Sequence, residues 1–313
     1  MRCASMKKLL LLALTLTVSA FLISSCDTIS SGTLPTGTMV FNANGEGFVH
    51  EGFVSEDGWT ISFDHVYVNL EGPTAYQVAV SAESASRHAG HDHGDVPDGS
   101  AHSALTGQYF VDLKRQGAAE PVFNIGSNDD VVIGNYNYLN FSMVNIDTAT
   151  TMPATNLNSG DTTTPDAYEG YCLILIGTAV KGSDTVTFTI KFDQAMKFYE
   201  CGPQEDLDED GTADGILSSE SDASTQMTFH FDHIFGDFDE GDPEPSDPEM
   251  MSFWGIGFGP FAEIGGYTTG DHTFSITQEQ MRTSMNSDIY FHLYSTLMTL
   301  GHLGEGHCHC SIL

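Results

Sequence analysis

The run Gly301-His302-Leu303-Gly304-Glu305-Gly306-His307-Cys308-His309-Cys310 crowds three histidines and two cysteines into nine consecutive positions, His302 to Cys310. Imidazole and thiolate are the donors that borderline and soft divalent metals prefer. The interspersed glycines allow a short backbone to bend until neighbouring side chains converge. The pattern therefore points to an ion held by His302, His307, Cys308 and His309, with Cys310 either a fifth donor or a disulfide partner. Zinc suits mixed His/Cys ligation best, and copper and nickel follow. Both donor types bind deprotonated, so affinity is expected to fall on acidification. The plainer alternative is an exposed tail with its cysteines in a disulfide.

Two further histidine groups are candidates. His88, His91 and His93 sit among Ser, Ala, Gly and Asp, with His102 a little later, a composition expected of a metal-binding surface loop. This run resembles the His-rich loops of periplasmic zinc-binding proteins, which implies capture or sensing. Ser62-Phe63-Asp64-His65-Val66-Tyr67 and His230-Phe231-Asp232-His233-Ile234-Phe235 echo one another. Read as strands, they place Phe63, His65 and Tyr67 on one face, and Phe231, His233 and Phe235 likewise. His65 and His233 are then pseudo-equivalent inner ligands, oriented by nearby carboxylates, with His50 and His230 as weaker additions. Buried histidines that only hydrogen-bond a neighbour are the other reading. A different chemistry is offered by Asp206, Asp208, Asp210 and Asp214 around Gly211. Their spacing resembles an EF-hand or thrombospondin-type calcium loop, although Leu217 stands where an EF-hand has its bidentate Glu. An acidic solvated loop is the alternative.

The elements that would position these residues are mostly strands. Short β-branched and aromatic runs at 39–41, 60–68, 75–80, 109–113 and 136–144 are separated by Gly, Pro, Asn and Asp. Leu139, Phe141 and Met143 share one face of the last run. Segments 172–180 and 185–192 flank Lys181-Gly182-Ser183-Asp184 and predict a hairpin with Cys172 opposite Asp193. Thr277 with Gln280 predicts a capping box, followed by a helical repeat through Ile289, Leu293, Leu297 and Leu300, closed by Gly301. The expected fold is mainly β and β-sandwich-like with a C-terminal helix. It spans residues 38–313, and the echo between its two Phe-Asp-His runs suggests a division into two related β units at 38–150 and 168–270. Trp59 and Trp254 read as core or interface.

At the start of the chain, Arg2, Lys7 and Lys8 precede an apolar stretch from Leu9 to Ile23. Ile23-Ser24-Ser25-Cys26 resembles a bacterial lipobox, with Ile where Leu is usual. That resemblance implies a signal peptide over residues 1–25, cleavage before Cys26 and lipidation of its thiol, followed by a tether over residues 26–37. More than one acyl chain gives stable membrane anchoring. Asp27 resembles an inner-membrane retention signal. After cleavage four cysteines remain, Cys172, Cys201, Cys308 and Cys310, which allow three pairings, Cys172–Cys201 among them. The formal net charge of −33 excludes ordinary nucleic-acid binding and favours cations. Nucleophile-elbow, HExxH and phosphate-loop motifs are missing from the sequence, and Gly255-x-Gly257-x-Gly259 lacks the strand and helix that dinucleotide binding needs. No enzyme is expected.

The lipobox and the His/Cys run together resemble uncharacterised bacterial cell-envelope lipoproteins with His-rich metal-binding segments. The expectation is a lipid-anchored protein on the cell or outer membrane, facing periplasm or exterior. It would capture, buffer or deliver zinc or copper (or nickel), with a metal transporter or receptor as partner. The alternative is a structural or adhesive surface β-module with a calcium loop.

Overall fold

A computed structural model describes residues 34–77, 100–114, 122–157, 160–202, 215–218, 221–236, 255–267, 272–304 and 306–313. In chain order the strands are β1 (Thr36–Asn44), β2 (Phe53–Val54), β3 (Thr60–Tyr76), β4 (His102–Ala104), β5 (Gln108–Asp112), β6 (Val122–Val132), β7 (Gly134–Asn135), β8 (Tyr138–Met143), β9 (Ala154–Asn156), β10 (Leu173–Lys181), β11 (Asp184–Phe192), β12 (Met196–Cys201), β13 (Ile216–Leu217), β14 (Ala223–Phe229), β15 (Thr273–Thr277), β16 (Gly301–Leu303), β17 (Gly306–His307) and β18 (His309–Ile312). The helices are short: α1 (Glu46–Glu51), α2 (Asp232–Phe235), α3 (Gly259–Ile264), α4 (Gln278–Ser284) and α5 (Ser287–Leu297). None of them is long and apolar enough to cross a membrane.

The fold is mainly β and sandwich-like. One sheet runs β17-β16-β14-β1-β6 and a larger one follows the path β15-β11-β10-β3-β8-β12-β18. Apolar alternation explains the pairing of layers. Met39, Phe41 and Ala43 of β1 are buried, as are Ile61 and Phe63 of β3 and Leu139, Phe141 and Met143 of β8. Phe141 meets Phe229 of β14 edge-on at 5.6 Å, so the two sheets share one apolar interior. Each such ring contributes about 1.5–3 kcal/mol of burial free energy. The hairpin forms as its spacing dictates, with Lys181 opposite Asp184 and Leu173 opposite Phe192. The capping box of Thr277 and Gln280 is present at α4.

Two of the expected organisations fail. Strands from 38–150 and 168–270 interleave, since β1 pairs with β14 and β3 with β10, and Thr36–Leu313 forms a single unit. A division into two units would leave both sheets short of partners. The helical repeat also ends early, at Leu297, and Gly301 begins β16 instead of closing the helix. Glycine is needed there because a Cβ would stand 2.6 Å from the Phe198 ring.

The long strand β3 changes face partway. Its register against β10 runs Phe63 to Gly177 and then His65 to Ile176, so Asp64 is the extra residue of a β-bulge. Gly177 permits this crowding, because a Cβ would lie 2.3 Å from the Ser62 carbonyl oxygen. Before the bulge Ile61 and Phe63 enter the main core; after it Val66, Val68 and Leu70 do. His65 and Tyr67 therefore point to the opposite face from Phe63. There Tyr67 packs in a small separate cluster with Phe110, Ile146 and Ile174. The expectation of one shared face for Phe63, His65 and Tyr67 is corrected by this single inserted residue.

Candidate metal centre

β1 and β14 run parallel, with Asn44 opposite Thr228, so both chains leave the same end of the sheet. Two residues on, Glu46 opens α1 and His230 follows β14. The His230 Nε2 then lies 3.4 Å from Glu46 Oε1. Glu46 has φ +56°, a left-handed conformation that costs a side-chain-bearing residue on the order of 1–2 kcal/mol. Phe231-Asp232-His233-Ile234 is not a strand. It turns into α2, and one helical turn brings Asp232 and His233 back beside His230. One donor atom from each of His230, Asp232 and His233 lies within 4.8 Å of the others. The pseudo-equivalence of His65 and His233 is thus corrected: one stands on a strand, the other in a helical turn.

His302 packs beside this group without belonging to the set of donor atoms within 4.8 Å of one another. β16 pairs antiparallel with β14, Thr228 opposite His302, and the His230 amide donates to the Leu300 carbonyl at 3.1 Å. The His302 ring consequently packs 4.2 Å from that of His230 and 6.0 Å from that of His233. The cluster is interior: Asp232 is 7% exposed, His233 9% and His302 5%.

One residue orients two of the rings. The His302 Nε2–H donates to the Thr299 carbonyl at 3.0 Å, and a carbonyl can only accept. In neutral His302 the lone pair therefore sits on Nδ1. The Thr299 hydroxyl spends its proton on the Thr296 carbonyl at 2.8 Å, so at 3.0 Å its oxygen accepts from His233 Nδ1–H. That assignment leaves the lone pair of His233 on Nε2. Imidazoles whose second nitrogen is tied to a backbone or hydroxyl oxygen are held ready to ligate a metal.

The other expected tail ligands are distributed differently. His307 lies opposite His302 in β17, in the smaller sheet. Cys308 stands between β17 and β18, where the chain crosses to the larger sheet, and its sulfur is bonded to Cys201. It is therefore no thiolate ligand, and the Cys172–Cys201 pairing does not form: Cys172 is a free, buried thiol. His309 stacks on Tyr199 at 5.7 Å with its Nε2 3.9 Å from Glu200 Oε2. Cys310 pairs in register with Phe198, and burial pushes its thiol pKa up to about 12, which disfavours the thiolate. The single convergent His/Cys tail is corrected to two halves on two sheets, because the backbone pairs with different strands on either side of Cys308. His88, His91, His93, Asp206, Asp208, Asp210, Asp214, Cys26 and Trp254 lie outside the described residues.

His65 has its own surroundings. Its Nδ1 is 2.8 Å from Asp112 Oδ2 and 3.8 Å from Asp161 Oδ2, while its ring stacks on Tyr67 at 5.0 Å. Burial raises the Asp112 carboxyl above the usual range, against the pull of His65 and of the Val66 and Lys114 amides. For Asp161 burial works the same way, but hydrogen bonds from Thr163 and Tyr67 outweigh it and hold the carboxyl low. Glu46, Asp112 and Asp161 carry no signal in the sequence, since each reaches its histidine only through tertiary pairing; Thr299 is local to His302 but meets His233 only in the folded chain. His230 and Asp232 belong to the Phe-Asp-His echo, where strand periodicity would set them on the same face and apart from His233; the helical turn brings all three together. No family model, no curated protein and no solved structure matches this chain.

Proposed function

We propose that the protein binds a divalent transition metal, zinc in the first place, through His230, Asp232, His233 and His302, to capture, buffer or deliver it. The observation that carries this reading is the double anchoring of His233 and His302 on Thr299, beside the half-buried His230 and the buried Asp232. Three imidazoles and a carboxylate make a full tetrahedral set for a borderline ion. A filled set leaves no coordination position for a substrate, which favours binding over catalysis. Asp232 and Glu46 together balance the two positive charges, which makes burying the ion affordable in a low dielectric. With the thiols out of the set, nitrogen and oxygen ligation favours zinc over cuprous copper.

The sequence at Cys26 supports a lipid-anchored position outside the cytoplasm. The Cys201–Cys308 bond agrees with it, because such bonds persist in oxidising compartments. A metal transporter or receptor is the partner that this role calls for.

Full-length protein made without a histidine tag and stripped by chelator provides the test. Zinc should bind stoichiometrically by calorimetry, and cobalt should show the intense visible bands of tetrahedral coordination. The H233A/H302A double variant should lose the cobalt bands and about 100-fold in zinc affinity, roughly 2.8 kcal/mol. Wild-type bands and affinity in that variant would overturn the reading.

A further inference from the structure

The bulge in β3 carries His65 to the outer face of the larger sheet, away from the main core and onto the Tyr67 side. Asp112 ends β5 directly opposite Tyr67, so its side chain emerges on the same face, one pleat from His65. Asp161 arrives from the segment before Pro165 and lies over Tyr67, which donates its hydroxyl to Asp161 Oδ2 at 2.8 Å. The chain is thus assembled from three separate stretches around one histidine nitrogen.

Each carboxylate is held by its far oxygen. Asp112 Oδ1 accepts from the backbone amides of Val66 and Lys114, both at 3.1 Å. Asp161 Oδ1 accepts from the Thr163 amide at 2.8 Å. Both Oδ2 atoms are thereby turned toward His65 Nδ1, at 2.8 Å and 3.8 Å, and one donor atom from each of the three residues lies within 4.8 Å of the others. Asp112 is fully buried and Asp161 nearly so, whereas the His65 side chain keeps 30% of its surface open. The arrangement has fixed, convergent donors, outer hydrogen bonds that orient them, and one side open to solvent.

We propose that His65, Asp112 and Asp161 form a second divalent-cation site, separate from the three-histidine centre and selective for ions that accept oxygen donors. One imidazole and two carboxylates suit manganese or ferrous iron better than copper, and the open side leaves room for water ligands. The inference is independent of the proposed zinc centre, since the two sites share no residue.

Manganese is the probe. The chelator-stripped full chain is titrated with Mn²⁺ while the six-line electron paramagnetic resonance signal of free Mn²⁺ is followed. Wild type and H233A/H302A should remove the same amount of Mn²⁺, and Asp161→Asn should remove one equivalent less. Tyr67→Phe, which keeps the ring and removes the bond to Asp161, should weaken uptake several-fold at unchanged stoichiometry. Near-ultraviolet circular dichroism establishes that each variant is folded. Equal uptake by wild type and a folded Asp161→Asn overturns the proposal, and so does the absence of any uptake by wild type. In that case His65 and Asp112 are a hydrogen-bonded pair only. Loss of Mn²⁺ uptake in H233A/H302A would also overturn it, by placing the ion in the other centre; the zinc result stands or falls separately.

Discussion

The two histidine clusters solve the same problem of orientation with different parts of the backbone. At the three-histidine centre the donors are mostly nitrogens, and two of the rings are held by the turn that follows α5, through the carbonyl and hydroxyl of Thr299. At His65 the donors are largely oxygens, and backbone amides hold them: Val66 in β3, Lys114 just past β5, and Thr163 in the segment that carries Asp161. Backbone carbonyl and hydroxyl oxygens fix imidazole N–H groups at the first cluster, and backbone amides fix carboxylates at the second.

The comparison can be broken first at the disulfide. Cys201–Cys308 closes a loop with a sequence separation of 107 and pins the crossing between sheets beside His302. Replacing both cysteines with serine should cost about 2–4 kcal/mol of stability in denaturant unfolding. Zinc affinity should fall with it while manganese uptake stays unchanged, because among the described residues β3 and β5 pair with neither β17 nor β18. Equal losses at both sites would show that the clusters are not independent. A smaller effect is expected from Thr299→Val, which removes the hydroxyl anchor of His233 and keeps the carbonyl anchor of His302. A 10–100-fold weaker zinc affinity in calorimetry is the expected outcome. An unchanged affinity would remove Thr299 from the orienting role. The smallest effect should follow His309→Ala. Its ring stacks on Tyr199 in the larger sheet, so zinc affinity should stay within twofold. A tenfold loss would restore the tail as one site. Zinc affinity should also fall as pH drops, because a protonated imidazole cannot ligate.

Part of this was legible in the residues alone. Alternation of apolar and polar positions is a local property, and it sufficed for the strands, the β-rich fold, the hairpin at Lys181 and the cap at Thr277. The concentration of histidine in a few segments was equally plain, and His65, His233 and His302 are all in clusters. What the reading could not hold was the parity of β3, because one bulge residue inverts every position after it. Nor could it separate strand from helical turn at Asp232–Phe235, since four residues satisfy either period.

Sequence by itself determined the donor inventory, the acidic charge and the β character, because each follows from residue type and short-range periodicity. Only the tertiary structure decided which donors meet. His302 joins His230 because β16 pairs with β14, Cys308 loses its thiolate because β12 lies beside the crossing, and His65 finds Asp112 across β5. Those partners are set by long-range strand register, which depends on how the whole apolar interior closes and on no local run of residues.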